Sequence, residues 1–287
     1  MSLAVESTAD GQEIMVLRNR EGWMAKVYFY GAHVTSWQSP EGHEQLYLSP
    51  QAKLDGSKAI RGGIPICFPQ FSDMGPCKTS HGFARTSFFK HVDDGVQAPE
   101  GAARAALELA PSTVEAAGQG FQGHFRLRVI VLLDKGTLSV RLNVHNLGTQ
   151  AMTFGACLHT YLTSGPIGAA AVSGLEGGEY MDNLNARAVA KQSGEIKFDR
   201  EVDRIFLGAA KAVVLRRGGL PDVSVAHDLP DLVVWNPWVQ KTKSMGDLPD
   251  DAYNHFVCVE PAIAGSGSVT IPGRGDWEGG QLISLLP

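Results

Sequence analysis

Apolar and polar residues alternate with a period of two along much of this chain. The clearest example is Phe125–Leu133 (FRLRVIVLL) followed by Leu138–Val144 (LSVRLNV). In the second run Leu138, Val140, Leu142 and Val144 fall on one face, and Ser139, Arg141 and Asn143 on the other. That spacing belongs to a strand with one buried face. Asp134-Lys135-Gly136-Thr137 lies between the runs and predicts a hairpin turn. Short runs rich in β-branched and aromatic residues predict further strands at Glu13–Leu17, Ala25–Tyr30, Val34–Trp37, Thr86–His91 and Arg104–Leu109. Others follow at Glu195–Phe198, Asp203–Leu207, Ala212–Leu215, Asp222–Ala226 and Leu232–Trp235, with Gly-Gly and Leu-Pro breaks between them. No long amphipathic helix is evident, and Met245–Asn254 predicts only a short helical turn. Many short strands separated by turns imply an all-β fold, a large antiparallel β-sandwich forming a single domain over residues 1–287.

Two of these runs carry polar residues on a defined face. In Met152–Tyr161, the side chains of Met152, Phe154, Ala156 and Leu158 share one face, opposite Thr153, Cys157, His159 and Tyr161. In Phe256–Glu260, Val257 and Val259 face one way, and Phe256, Cys258 and Glu260 the other. Pro261 is expected to end that strand and to hold Glu260 extended. Acid–base catalysis needs two titratable groups flanking a substrate, and His159 with Glu260 fits that need. Nine histidines and thirty acidic residues allow other pairings, so the residue pattern leaves open a solvated histidine and a glutamate paired with arginine. His33 is read as a structural histidine.

The stretch Ala59–Arg85 (AIRGGIPICFPQFSDMGPCKTSHGFAR) breaks the alternation. Its glycines permit close backbone approach and its prolines fix the chain path, which predicts a rigid loop. Arg61 and Arg85 on one stiff loop point to an anionic ligand group, since guanidinium forks match phosphate and carboxylate oxygens. The alternative is a surface loop whose arginines pair with nearby acids.

Composition narrows the classes. The chain is 44% hydrophobic with 33 glycines and 15 prolines, enough for a core and for many turns. A net charge of -5 and a pI near 6.0 argue against a partner recognised through its phosphate backbone, so no nucleic-acid binding is expected. No apolar run is long enough to span a bilayer, and the N-terminal residues show no leader pattern. Four well-separated cysteines form no Cys-x-x-Cys unit, so neither a zinc nor a redox motif is read, and free thiols in a reducing compartment are expected. The expectation is a cytoplasmic protein without membrane attachment.

Arg61–Phe71 (RGGIPICFPQF) and His81–Arg85 (HGFAR) resemble the signature segments of the glucose-6-phosphate 1-epimerase branch of the aldose 1-epimerase (mutarotase) family. Leu158-His159-Thr160-Tyr161, Glu201-Val202-Asp203-Arg204, Trp235-Asn236-Pro237-Trp238 and Val257-Cys258-Val259-Glu260-Pro261 resemble further family segments, as do Pro272-Gly273 and Trp277-Glu278-Gly279. They run in family order from about Gly31 to the C-terminus. Gln122-Gly123-His124-Phe125 departs from the pattern, standing where a Trp-Pro pair is expected.

The resemblance implies a galactose mutarotase-like super-sandwich and interconversion of the anomers of a hexose 6-phosphate. In that reading the carboxylate of Glu260 removes the anomeric hydroxyl proton, and the imidazolium of His159 protonates the ring oxygen. His81 binds near the ring oxygen and Asp203 holds hydroxyls. Arg61 and Arg85 grip the phosphate with Gln70 orienting it, and Trp235 offers a flat apolar surface. No metal or organic cofactor is implied, and a monomer is expected. An aldose mutarotase acting on unphosphorylated sugars and a non-catalytic sugar-phosphate-binding protein are the alternatives. A glycoside hydrolase using Asp203 and Glu260 would leave His159 idle.

Overall fold

The alternation written in the sequence becomes alternation of burial. Along Phe125–Asp134 and Thr137–Asn146 every second side chain is buried and its neighbours are half-buried. The two strands pair antiparallel with Leu127 opposite Val144, Val129 opposite Leu142 and Val131 opposite Val140. Each such buried aliphatic side chain stabilises the fold by about 1.5–3 kcal/mol relative to leaving it exposed. The chain reverses at Lys135, whose φ is 50°.

The computed structural model describes residues 2–8 and 11–286. Among these, the strand pairs are antiparallel throughout and gather into two large sheets, a four-stranded meander and one two-stranded pair. The nine-stranded sheet has Asp276–Leu285 and Thr137–Asn146 at its middle. The eight-stranded sheet places Val202–Phe206, Asp231–Asn236 and Phe256–Ile263 side by side. The meander comprises Ser2–Ser7, Glu13–Arg18, Met24–Tyr28 and His33–Gln38. One apolar core joins Met15 and Val27 of the meander to Val129 and Val140 of the nine-stranded sheet and Val234, Val257 and Val259 of the eight-stranded sheet. The fold is therefore an all-β sandwich, as the sequence implies.

The eight-stranded sheet has a second apolar face. Ile205, Val233, Trp235, Cys157, Tyr161, Phe256 and Cys258 form a separate buried cluster. Successive residues of one strand go to opposite clusters: Val257 and Val259 to the main core, Phe256 and Cys258 to the outer one. The polar face foreseen for Met152–Tyr161 and Phe256–Glu260 is this outer face, floored by aromatic rings.

Several expected elements differ. Ser2–Ser7 forms a strand although every one of its residues is exposed, so it has no one-sided apolar pattern to read. The hairpin Glu179–Asp182 with Ala188–Lys191 is missed too: its second strand is wholly exposed and its first buries only Tyr180. Thr86–His91 contracts to Lys90–His91, preceded by a 3-10 turn at Ala84–Thr86. Two six-residue helices appear, Thr113–Gly118, capped reciprocally by Ser112 and Glu115, and Trp238–Lys243.

Met152–Tyr161 is not one strand. Met152–Phe154 pairs with Val269–Ile271, whereas Ala156–Leu158 and Tyr161–Thr163 flank a break in the eight-stranded sheet. Nor does Pro261 end its strand, which continues from Phe256 to Ile263. The two departures have one cause. Ala156 and Cys157 pair with Ile263 and Ala262, and Tyr161–Thr163 pair with Cys258–Phe256, so Val259–Pro261 lie opposite the break. A residue without an N–H is tolerated where the neighbouring ladder is interrupted.

The Ala59–Arg85 loop is pressed into the sheet at that break. Ile66–Cys67 pairs with Cys157–Leu158. Gly63 has φ 60°, and a Cβ there would lie 2.3 Å from the Val34 carbonyl oxygen. Replacing Gly63 with Ala is expected to lower unfolding free energy by at least about 2 kcal/mol, combining left-handed strain with a backbone clash. Gly42→Ala, where φ is 86° but nothing lies within 4 Å, should lose only about 1 kcal/mol. Urea midpoints at unchanged slope measure both, and equal losses would show that the close approach is unimportant.

Candidate active site

The break in the eight-stranded sheet carries His159. Its backbone N–H donates to the Pro65 carbonyl at 3.0 Å, and the Tyr161 N–H donates to the Gly63 carbonyl at 2.9 Å. The arginine loop therefore sets the position of the histidine segment directly. His33 supports the same turn from beneath: its Nε2 lies 2.7 Å from the Gly62 carbonyl, and complete burial lowers its pKa to about 4. It is a neutral structural histidine.

Glu260 comes from the adjacent strand and meets His159 across the break, with Glu260 Oε1 3.2 Å from His159 Nδ1. Glu260 is 1% exposed and His159 8%. The Cys157 thiol donates to Glu260 Oε2 at 3.3 Å. Burial drives the Glu260 carboxyl well above the usual carboxylate range. Burial also drives His159 well below the usual imidazole range, reinforced by the nearby positive charges of Arg85 and Arg61. Both shifts favour neutral forms. His159 stacks on Tyr161, with ring centroids 4.9 Å apart and planes 9° apart, and meets the edge of Trp235 at 5.7 Å.

His159 and Glu260 line a cavity of about 260 Å³, together with Arg61, Arg85, His81, Asp203 and Trp235. Seven of the eight site residues read from sequence thus converge on one cavity. His81 stands on the loop with φ 67°; its Nδ1 accepts from the Ser72 N–H at 3.3 Å, which leaves the proton of the neutral ring on Nε2. Its ring centroid is 5.6 Å from that of His159. Asp203, on Val202–Phe206, accepts from Asn183 Nδ2 at 2.7 Å, and burial raises its pKa.

The cations of the cavity are not equivalent. Arg61 is neutralised by Asp247 at 3.1 Å and donates to the Tyr161 hydroxyl at 3.0 Å. Arg85 donates to the Ser80 carbonyl at 3.1 Å and has no ion-pair partner among the described residues. Lys241, from the helix Trp238–Lys243, is a third cation on the cavity wall. Sequence reasoning missed it, because an exposed lysine on a short helix gives no signal of its own.

Gln70 is the residue that does not join the cavity. It is 1% exposed and holds the loop together instead. Its Oε1 accepts from the Cys77 N–H at 2.6 Å, and its Nε2 donates to the Ser72 and Thr79 carbonyls at 2.9 and 3.3 Å. Three larger surface grooves lack the chemistry. Those of about 380 and 430 Å³ contain His124 and His255 but no carboxylate, and one of about 510 Å³ contains Glu108 and Glu115 but no histidine. The departing segment at Gln122–His124 lines the first of these, apart from the site.

Residues 13–279 match the model of the aldose 1-epimerase family. The chain belongs to the aldose 1-epimerase family. Among its relatives, a protein of Cenchrus ciliaris bearing the name "Putative glucose-6-phosphate 1-epimerase" is 38% identical over 98% of this chain and 87% of its own. One of Escherichia coli K12 with the same name is 34% identical over 82% of this chain and 78% of its own. Among solved structures, a "putative mutarotase (YeaD)" of Salmonella typhimurium superposes with a TM-score of 0.85 at 27% identity, covering 98% of this chain and 92% of that one. A galactose 1-epimerase of Lactobacillus acidophilus shares the fold alone, with a TM-score of 0.74 at 14% identity over 99% and 98% of the two chains.

Replacing Gln70 with Leu keeps its bulk but leaves the Cys77 N–H without its acceptor. Stability is expected to fall by about 1–3 kcal/mol, for the loss of the three hydrogen bonds that Gln70 makes within the loop. An unchanged urea midpoint would contradict the bracing role.

Proposed function

We propose that this protein interconverts the α and β anomers of D-glucose 6-phosphate by opening and closing the sugar ring. The observation that carries the proposal is the 3.2 Å contact of His159 with Glu260, set in a cavity wall that also bears Arg85 and Lys241. The relatives named for glucose 6-phosphate support the same substrate.

Glu260 takes the proton of the anomeric hydroxyl while His159 gives one to the ring oxygen, and the ring carbon–oxygen bond opens. The aldehyde rotates about its bond to the next carbon. The same two groups, with roles reversed, close the ring on the other face. An ionised pair and a neutral pair carry the same single proton, so passage across the Nδ1–Oε1 contact interconverts them. In the empty site burial favours the neutral form. A phosphate dianion beside Arg85 and Arg61 offsets charges that oppose the imidazolium, and so favours the form that protonates the ring oxygen. Arg85 and Lys241 hold the phosphate beside the already paired Arg61, and its binding energy orients the ring. His81 directs its Nε2–H toward the sugar, Asp203 accepts from sugar hydroxyls, and Trp235 supports the ring.

The enzyme acts as a single domain and a monomer, since one chain supplies both site groups and one core joins all the main sheets. It works in the cytoplasm, which suits four free thiols, three of them buried. No helix among the described residues is long and apolar enough to cross a membrane.

Saturation transfer between the two anomeric protons of equilibrated glucose 6-phosphate reads the reaction directly. Fast transfer is expected with the wild type, reduced about 10²- to 10⁴-fold in Glu260→Gln. Arg85→Ala and Lys241→Ala should each raise KM for glucose 6-phosphate about 10- to 100-fold, the loss of one charge-assisted contact, while leaving free glucose unaffected. Equal effects on both sugars would replace the phosphate reading with a general aldose mutarotase. Absence of transfer for any sugar would leave a binding protein.

A further inference from the structure

A third donor lies with the His159–Glu260 pair. One ring nitrogen of His159, one carboxylate oxygen of Glu260 and the Cys258 sulfur all lie within 4.8 Å of one another, and all three residues are buried. The sheet register explains the meeting. Cys258 and Glu260 leave the same face of Phe256–Ile263, and Cys258 is the cross-strand partner of Tyr161, two residues beyond His159. His159 Nδ1 is fully buried and makes no well-directed hydrogen bond among the described residues, although Glu260 Oε1 is 3.2 Å away. In the neutral tautomer protonated at Nε2, the lone pair on that nitrogen is free to bind a cation.

We propose that His159, Cys258 and Glu260 form an inhibitory site for a thiophilic divalent cation of the zinc type. Imidazole, thiolate and carboxylate are the donors zinc takes. At zinc bond lengths, tetrahedral donors stand about 3.3–3.6 Å apart. The histidine–glutamate contact already has about that spacing, and the sulfur needs to close by about an ångström. A thiolate and a carboxylate cancel the charge of the cation, so the filled site is neutral, as a buried site requires. Binding expels the thiol proton, and any proton on Glu260, to solvent. Burial holds the Cys258 thiol well above its usual range, so without a cation it stays protonated and takes no part in sugar chemistry. Calcium and magnesium, which prefer oxygen ligands, gain nothing from the sulfur. Arg61, Arg85 and Lys241 oppose entry of any cation, which selects for metals that bond strongly to thiolate. His159 and Glu260 line the cavity, so a cation and a fourth ligand would arrive from that side.

Occupancy engages the lone pairs that Glu260 and His159 use in proton transfer, so a filled site is silent; this consequence rests on the proposed mutarotase reading, whereas binding itself does not. The test is titration of the chelator-treated protein with Co²⁺ as a spectroscopic probe. The expected result is a near-ultraviolet thiolate-to-cobalt band that Zn²⁺ displaces and that Mg²⁺ and Ca²⁺ leave alone. Cys258→Ser should lose the band and weaken Zn²⁺ binding at least about tenfold in competition with a chromophoric chelator. In parallel, Zn²⁺ should stop anomer exchange in the wild type, with recovery on adding EDTA. The serine variant should exchange at the wild-type rate and resist zinc. No band in the wild type, or a band that survives Cys258→Ser, overturns the site. A Cys258-dependent band with exchange undiminished in the zinc-loaded protein supports the site and counts against the acid–base roles. If the serine variant does not fold, Cys258→Ala takes its place, and absence of the wild-type band remains decisive.

Discussion

The arrangement depends on removing a carboxyl group and an imidazole from water together. Either group alone, buried as deeply as Glu260 or His159, would simply remain neutral. Held 3.2 Å apart, they can share one proton, so the charged and neutral forms differ by a short transfer rather than by exchange with solvent. The Cys157 thiol supplies a further donor to Glu260 without adding charge. The surrounding rings of Tyr161, Trp235 and Phe256 give the pair apolar walls, and the Tyr161 hydroxyl is already engaged by Arg61. Glu260 is held by a sheet strand, and His159 by a break in the sheet whose backbone is fastened to the Gly63–Pro65 segment.

What makes room for it is a defect in that sheet. A continuous strand through Leu158–Tyr161 would have paired with Val259–Pro261, and Pro261 has no N–H to contribute. The structure interrupts the strand at His159 and hands its backbone donors to the carbonyls of Pro65 and Gly63. The segment that receives them also carries Arg61, His81 and Arg85. One loop thus fixes the histidine and brings the cations to the cavity. Its internal bracing falls to Gln70 and His33, residues that face no cavity at all.

Much of this was legible, and the limits have physical reasons. Strict alternation in Leu138–Val144 and Phe256–Glu260 announces strands because one face must be buried, and the same rule assigns His159 and Glu260 to the face away from the aliphatic core. Exposed strands such as Ser2–Ser7 and Ala188–Lys191 obey no such rule and leave no trace in hydrophobicity. Convergence of Arg61, His81, Asp203 and Glu260 is a property of sheet order, which period-two patterns do not encode; here the family's motifs supplied what spacing lacked. Gln70 shows the converse limit. A polar side chain in a polar loop reads as a ligand contact, and only its bonds to the Cys77 N–H and the Ser72 and Thr79 carbonyls reveal that the loop itself is its partner.

Charge balance distinguishes the cations that a motif treats alike. Arg61 meets Asp247 and the Tyr161 hydroxyl, so its charge is largely satisfied before any substrate arrives. Bringing an anion to it gains little beyond what that pairing already provides. Arg85 and Lys241 form no ion pair among the described residues, although Lys241 feels the charges of Glu201 and Asp203, and both face the cavity. An incoming dianion therefore gains most from these two, while Arg61 acts chiefly as a fixed wall that also steadies Tyr161 and, through ring stacking, His159. In the proposed reaction, discrimination between a sugar and its phosphate ester then belongs to a residue at the end of the signature loop and to a lysine on a short helix outside it.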